Sequence, residues 1–172
     1  MDALLPADRD TGDDAGLNVA HDALYATYWS RLRPLPGAAD LLRACKKHGL
    51  RVVLASSAVA REFEVMRRAL GADDAVDGAT SSASVDASKP APDLVQVALE
   101  KAGAGPDEAV FVGDTVWDVQ ACQRAGVTCI GVLSGGISEA ELRDAGAARV
   151  FPAAADLLAA FPGSLLSSSP PG

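Results

Sequence analysis

Ala109-Val110-Phe111-Val112-Gly113-Asp114-Thr115-Val116-Trp117-Asp118 is the stretch that decides the fold. An apolar run enters a glycine, then a carboxylate, with a second carboxylate four positions later. The run has the length of a buried parallel strand. Val116, Val119, Ala121, Cys122 and Ala125 then recur at helical period until Gly126 stops them. Asp114 therefore falls at the carboxyl end of a strand, where open α/β sheets place their ligands. Asp118 follows one turn later on the same face. Two hard-oxygen carboxylates so placed suit Mg²⁺, which takes one or two carboxylates together with waters and a substrate phosphate. The plain structural roles are an N-cap for Asp114 and an exposed helix acid for Asp118.

The pattern repeats outward from this stretch. Helices are expected over Ala38–Lys47, Ala58–Leu70, Pro92–Ala102, Thr115–Ala125, Glu139–Ala145 and Ala154–Ala160, with glycine stops at 49, 71, 103, 126 and 146. Between them, strands are expected at Arg51–Ala55, Ala109–Val112, Thr128–Leu133 and Arg149–Phe151. A short segment is expected near Ala75–Val76, before a polar loop at Thr80–Ser88. Strands separated by helices pair in parallel with right-handed crossovers. The fold class is a doubly wound, Rossmann-like α/β sheet. Upstream, a helix is expected over Leu17–Leu32, with Leu24, Tyr25, Tyr28 and Trp29 on one side and a Pro/Gly break after it. Residues 163–172 are Ser/Pro-rich and are expected to be a disordered tail.

Bulk composition narrows the partners. The 172 residues are 49% hydrophobic and 22% charged, which is globular, and one domain of this size can bury a core. The net charge of −8 argues against nucleic acid and anionic membrane. A phosphate can still be held locally by a helix N-terminus and one lysine. Cys45, Cys122 and Cys129 are an odd number without metal-ligand spacing; Cys122 and Cys129 fall in apolar settings that fit inert buried thiols, and this usage fits a reducing cytoplasm. No apolar run approaches the length of a membrane span.

Two further groups fall at compatible places. Ser56 and Ser57 follow strand Arg51–Ala55, where a hydroxyl can hold a phosphoryl oxygen; Ser56 comes first at the strand end. Lys89, in Ser88-Lys89-Pro90-Ala91-Pro92-Asp93, directly precedes a helix, so its ammonium and the helix N-terminus can share one anion. Ser134-Gly135-Gly136 follows a strand and reads equally as a plain turn or as a lining of the phosphate end.

Taken in order, a hydrophobic strand with Ser, then Ser-Lys-Pro-x-Pro-Asp, then Val-Gly-Asp-Thr-x-x-Asp resemble the haloacid dehalogenase-like hydrolase superfamily. The similarity is to its phosphoglycolate phosphatase and β-phosphoglucomutase branch, from about Pro34 to Phe161. The resemblance implies that Ser56 and Lys89 steady a transferring phosphoryl group and that Asp114 and Asp118 hold Mg²⁺. It implies that residues 1–35 are a remnant of a helical cap with its linker, and that 36–162 form the α/β core. It also implies a central strand ending in Asp-x-Asp-Gly-Thr, whose first Asp is the nucleophile. Asp8-Arg9-Asp10-Thr11-Gly12 is the sole candidate; its order is altered, and Leu4-Leu5-Pro6-Ala7 before it is too short and Pro-broken for a central strand. Without that strand, two central strands face each other across a gap, unless an upstream segment or a partner supplies it.

The expected function is a Mg²⁺-dependent phosphomonoester hydrolase acting on a small phosphorylated metabolite, present as an N-terminally truncated form inactive by itself. The alternative is a non-catalytic phosphate- or metal-binding regulatory protein on the same fold. A two-component receiver domain is disfavoured, because its acid pair follows the first strand and its lysine ends a late one, whereas Lys89 precedes a helix.

Overall fold

The computed structural model describes residues 20, 23–81 and 92–166. The chain divides into two units, 1–32 and 33–172.

In the first unit, residues 23–26 are helical, and a 3₁₀ turn follows at Trp29–Arg31. The expected helix through Leu32 is thus interrupted. Thr27 is the cause: its backbone N–H and its hydroxyl both donate to the Leu24 carbonyl, at 3.1 and 2.7 Å, tightening the turn.

The second unit alternates helix and strand: α1 (Ala38–Lys47), β1 (Val53–Ala55), α2 (Ala60–Leu70), β2 (Gly78–Thr80), α3 (Asp93–Ala102), β3 (Val110–Gly113), α4 (Val116–Ala125), β4 (Thr128–Val132), α5 (Glu139–Asp144), β5 (Arg149–Phe151) and α6 (Ala154–Ala159). Gly49, Gly71, Gly103, Gly126 and Gly146 all take positive φ, as their reading as helix stops requires. Every strand pair is parallel, and the fold is the doubly wound α/β layer read from the sequence.

The strands form two sheets. β1 pairs with β2 in the register Val53↔Gly78 to Ala55↔Thr80. β3, β4 and β5 form the other, with Gly113 opposite Gly131 and Val132 opposite Phe151. Among the described residues no ladder joins β1 to β3. β2 itself was not foreseen: the sequence placed a segment at Ala75–Val76 and a loop from Thr80. Gly78-Ala79-Thr80 has little strand propensity, and pairing with β1 extends it.

β4 carries the core. Its residues Cys129 to Val132 are all buried, and its side chains alternate between two clusters. Ile130 and Val132 pack with Leu41, Cys45, Phe151, Leu157 and Phe161. Cys129 packs with Val95, Val119, Cys122 and Leu142. Leu166 belongs to the first cluster, and Ser164 is buried, its hydroxyl donating to the Phe161 carbonyl at 2.9 Å. This corrects the expected tail over 163–172. Leu165-Leu166 is apolar enough to continue the fold, and residues 167–172 lie outside the described set.

Ion pairs fasten α1 to the segment before β2. Arg43 donates to both oxygens of Asp74 at 2.9 Å and to the Gly71 carbonyl. Lys46 pairs with Asp77, whose other oxygen accepts from the Val52 amide. The hydrogen bond from Arg43 holds Asp74 below the usual carboxylate range, and that from Lys46 followed by the Val52 amide does the same for Asp77. A carboxyl depressed in the folded state contributes stability above its unfolded pKa and loses it as pH falls through the folded value. The thermal midpoint should therefore hold level above about pH 5 and decline below about pH 4. The double substitution Asp74→Asn, Asp77→Asn should flatten that decline when unfolding is followed by circular dichroism. An unchanged slope would remove these pairs from the account of acid sensitivity.

Candidate functional site

The site is built around the turn from β3 into α4. Thr115 caps α4: its hydroxyl accepts from the Asp118 amide at 3.2 Å and donates to Asp118 Oδ2 at 2.7 Å. The same Oδ2 accepts from the backbone amides of Thr115 and Asp114, at 3.1 and 3.3 Å. Asp118 is only 4% exposed. Its carboxylate thus fixes the turn that presents Asp114. Gly113 is required here because a Cβ at that position would stand 2.5 Å from Asp118 Cβ.

Asp114, half-buried, is held from the other side by the loop after β4. Ser134 Oγ donates to Asp114 Oδ2 at 3.0 Å. Gly135 lies so close that its Cβ, if it had one, would be 2.3 Å from the Asp114 carbonyl oxygen. Of the two readings left open for Ser134-Gly135-Gly136, the loop is a turn that also grips the strand-tip carboxylate.

A cavity of about 790 Å³ runs between β1 and β3, and Ser56, Asp114 and Ser134 line it together. Ser56 is half-buried, donates its amide to the Thr80 carbonyl, and accepts from the Ala58 amide through Oγ at 3.1 Å. Ser57 is exposed and is not among the cavity-lining residues. The structure thus brings Ser56 and Asp114 to one cavity and leaves Ser57 outside it. Lys89 lies outside the described residues. Thr80, expected only as the start of a polar loop, ends β2 opposite Ala55. It is 1% exposed, and its hydroxyl has no hydrogen-bond partner among the described residues.

Among the described residues no group of three or more His, Cys, Asp or Glu side chains gathers as a metal cluster. The donors present fit a sparsely ligated hard cation rather than a closed cage: the Asp114 carboxylate at the cavity wall, with Asp118 behind it already engaged at Oδ2. Mg²⁺ is the cation that tolerates so few protein ligands. No helix among the described residues is long and apolar enough to cross a membrane.

Open parallel sheets that gather polar side chains at their strand tips are ligand-binding α/β domains, in which chemistry is set by the tip residues. This chain belongs to the haloacid dehalogenase-like hydrolase family, whose pattern it matches over residues 1–126. It is 29% identical over 100 residues to phosphoglycolate phosphatase from Pseudomonas putida, covering 58% of this chain and 37% of that protein. A hydrolase from Pseudomonas syringae superposes with a TM-score of 0.83 at 33% identity, over 90% of this chain and 71% of that one. A HAD family hydrolase from Deinococcus radiodurans R1, solved with bound phosphate and sodium, gives 0.77 at 26% identity, over 87% and 68%. The chain spans less than two thirds of the length of the curated relatives it matches, for example 54%, 37% and 48%.

Proposed function

We propose that this protein is a Mg²⁺-dependent phosphomonoester hydrolase for a small phosphorylated metabolite, and that the 172-residue chain alone binds phosphate and Mg²⁺ weakly and turns over negligibly. The observation that carries the reading is the sharing of one cavity by Ser56, at the end of β1, and Asp114, at the end of β3. Phosphatases among the relatives support the substrate class. Asp114 would hold the cation, with Asp118 fixing its approach through the turn. Ser56 would donate to a phosphoryl oxygen, and Lys89 would add a positive charge from the segment before α3. Mg²⁺, when bound, supplies charge neutralisation on the phosphoryl oxygens. Family nucleophiles are strand-end aspartates, and the described strand ends offer Asp114 alone, already committed to the cation. Three free buried thiols support a reducing, cytoplasmic setting.

The test is hydrolysis of an aryl phosphate by the pure chain, with and without Mg²⁺, beside thermal unfolding in Mg²⁺ plus inorganic phosphate. The expected result is no turnover, with an unfolding midpoint that rises with both ligands and does not rise in Asp114→Asn. Mg²⁺-dependent hydrolysis lost in Asp114→Asn would overturn the claim of inactivity. Absence of any ligand-dependent shift would overturn the site.

A further inference from the structure

The ladder between β3 and β4 closes at Gly113 opposite Gly131, Val132 continues β4, and a 3₁₀ turn over Leu133–Gly135 follows, meeting Asp114 at the tip of β3. Leu133 and Ile137 both pack against the cluster of Val119, Cys122 and Leu142, so the segment between them is pinned at both ends. Ser138 then caps α5, its hydroxyl accepting from the Glu141 amide at 3.3 Å. Gly135 lies against the backbone of Asp114 with no room for a side chain between them. Ser134 is exposed, so the hydrogen bond from its hydroxyl to Asp114 Oδ2 owes its fixed geometry to this pinned turn rather than to burial. The two acids of the site are thus treated alike. Asp118 gives Oδ2 to three donors, and Asp114 gives Oδ2 to Ser134. Among the described residues Asp114 Oδ1 accepts no hydrogen bond.

We propose that Ser134 sets which divalent cation the site prefers: by holding Oδ2 it keeps Asp114 a one-oxygen ligand, which suits Mg²⁺ and denies Ca²⁺ the second carboxylate oxygen. The proposal rests on the reading of Asp114 as the ligand of the cation. Mg²⁺ demands near-octahedral geometry and keeps several waters, so one well-aimed carboxylate oxygen serves it. Ca²⁺ gathers about six to eight oxygens in a looser shell, and a carboxylate that offers both of its own is a good source. Loss of the Ser134 hydroxyl therefore acts twice in one direction. Asp114 is no longer held in one orientation, which weakens Mg²⁺, and Oδ2 becomes available for chelation, which strengthens Ca²⁺. Ser134 acts through Asp114 and is a positioning residue.

The test is titration of the full chain with MgCl₂ and, separately, with CaCl₂, each without phosphate, following the backbone amide resonances of Asp114 and Gly135. In Ser134→Ala the ratio of Mg²⁺ to Ca²⁺ affinity should fall by about tenfold. The unfolding midpoint without cation should stay where it is, because the position is exposed. Ser134→Thr keeps the hydroxyl and should keep the parent ratio. Gly135→Ala, whose methyl group must push the turn off Asp114, should reproduce the fall with Ser134 still in place. A ratio unchanged in Ser134→Ala, both ions weakening together or neither, overturns the proposal and leaves the cation site standing. A ratio that falls as far in Ser134→Thr also overturns it, since the hydroxyl is then not the cause. No shift of either resonance by either cation in the parent chain overturns the cation site and this proposal with it.

Discussion

Leu142→Ala is expected to lower stability by about 2–5 kcal/mol, the range for emptying a fully buried leucine site. Leu142 is 0% exposed and bridges α5 to β4, where its Cδ1 would lie only 3.1 Å from a Cβ built on Gly131. The leucine therefore occupies space that the glycine leaves. Against a typical domain stability of about 5–15 kcal/mol, that loss is large. Urea unfolding should show a lower midpoint at unchanged slope. A loss under about 1 kcal/mol would mean that α5 relaxes onto the sheet.

Asp118→Ala should have the second large effect, on fold and site together. It strips one acceptor from three donors, the Asp114 and Thr115 amides and the Thr115 hydroxyl. A buried group left unpaired costs about 1–3 kcal/mol, and these three donors, part-buried at the turn, together bear a loss of that order. The turn that presents Asp114 would loosen, and the midpoint shift in Mg²⁺ plus phosphate should vanish. Asp118→Asn separates two roles for this carboxylate. An amide oxygen can still accept, so stability should largely return; the ligand-dependent shift should return with it if Asp118 acts through the turn. Restored stability without the shift would mean that its charge is needed at the cation.

The β3–α4 stretch was legible because each of its signals is local: an apolar strand, a glycine, a hydroxyl cap and a helical period. The helix stops at Gly71, Gly103 and Gly126 were legible for the same reason, since one residue type satisfies one backbone conformation. β2 was not, because Gly78-Ala79-Thr80 becomes a strand only through β1. Ser164 and Leu166 were misread because tail composition outweighed a short apolar pair whose burial depends on distant elements. At the site, the placement of Asp114 followed from its strand end. Its grip by Ser134, twenty positions away, depended on how two loops meet. For Asp118 a helix face was legible but not a partner, and the structure shows that one oxygen is already engaged by the cap. That no ladder joins β1 to β3 among the described residues could not be read from any local signal.

The division of the strands into a pair and a trio bears on how this chain must emerge from a ribosome. Synthesis is vectorial, so β1 and β2 appear first, as a two-stranded parallel pair that is marginal in water. The leucines, isoleucine and phenylalanines that cover α1 arrive only with β4, β5, α6 and the residues that follow it. Until those elements emerge the nascent protein shows an uncovered apolar helix beside an open strand edge, a surface that invites chaperone contact.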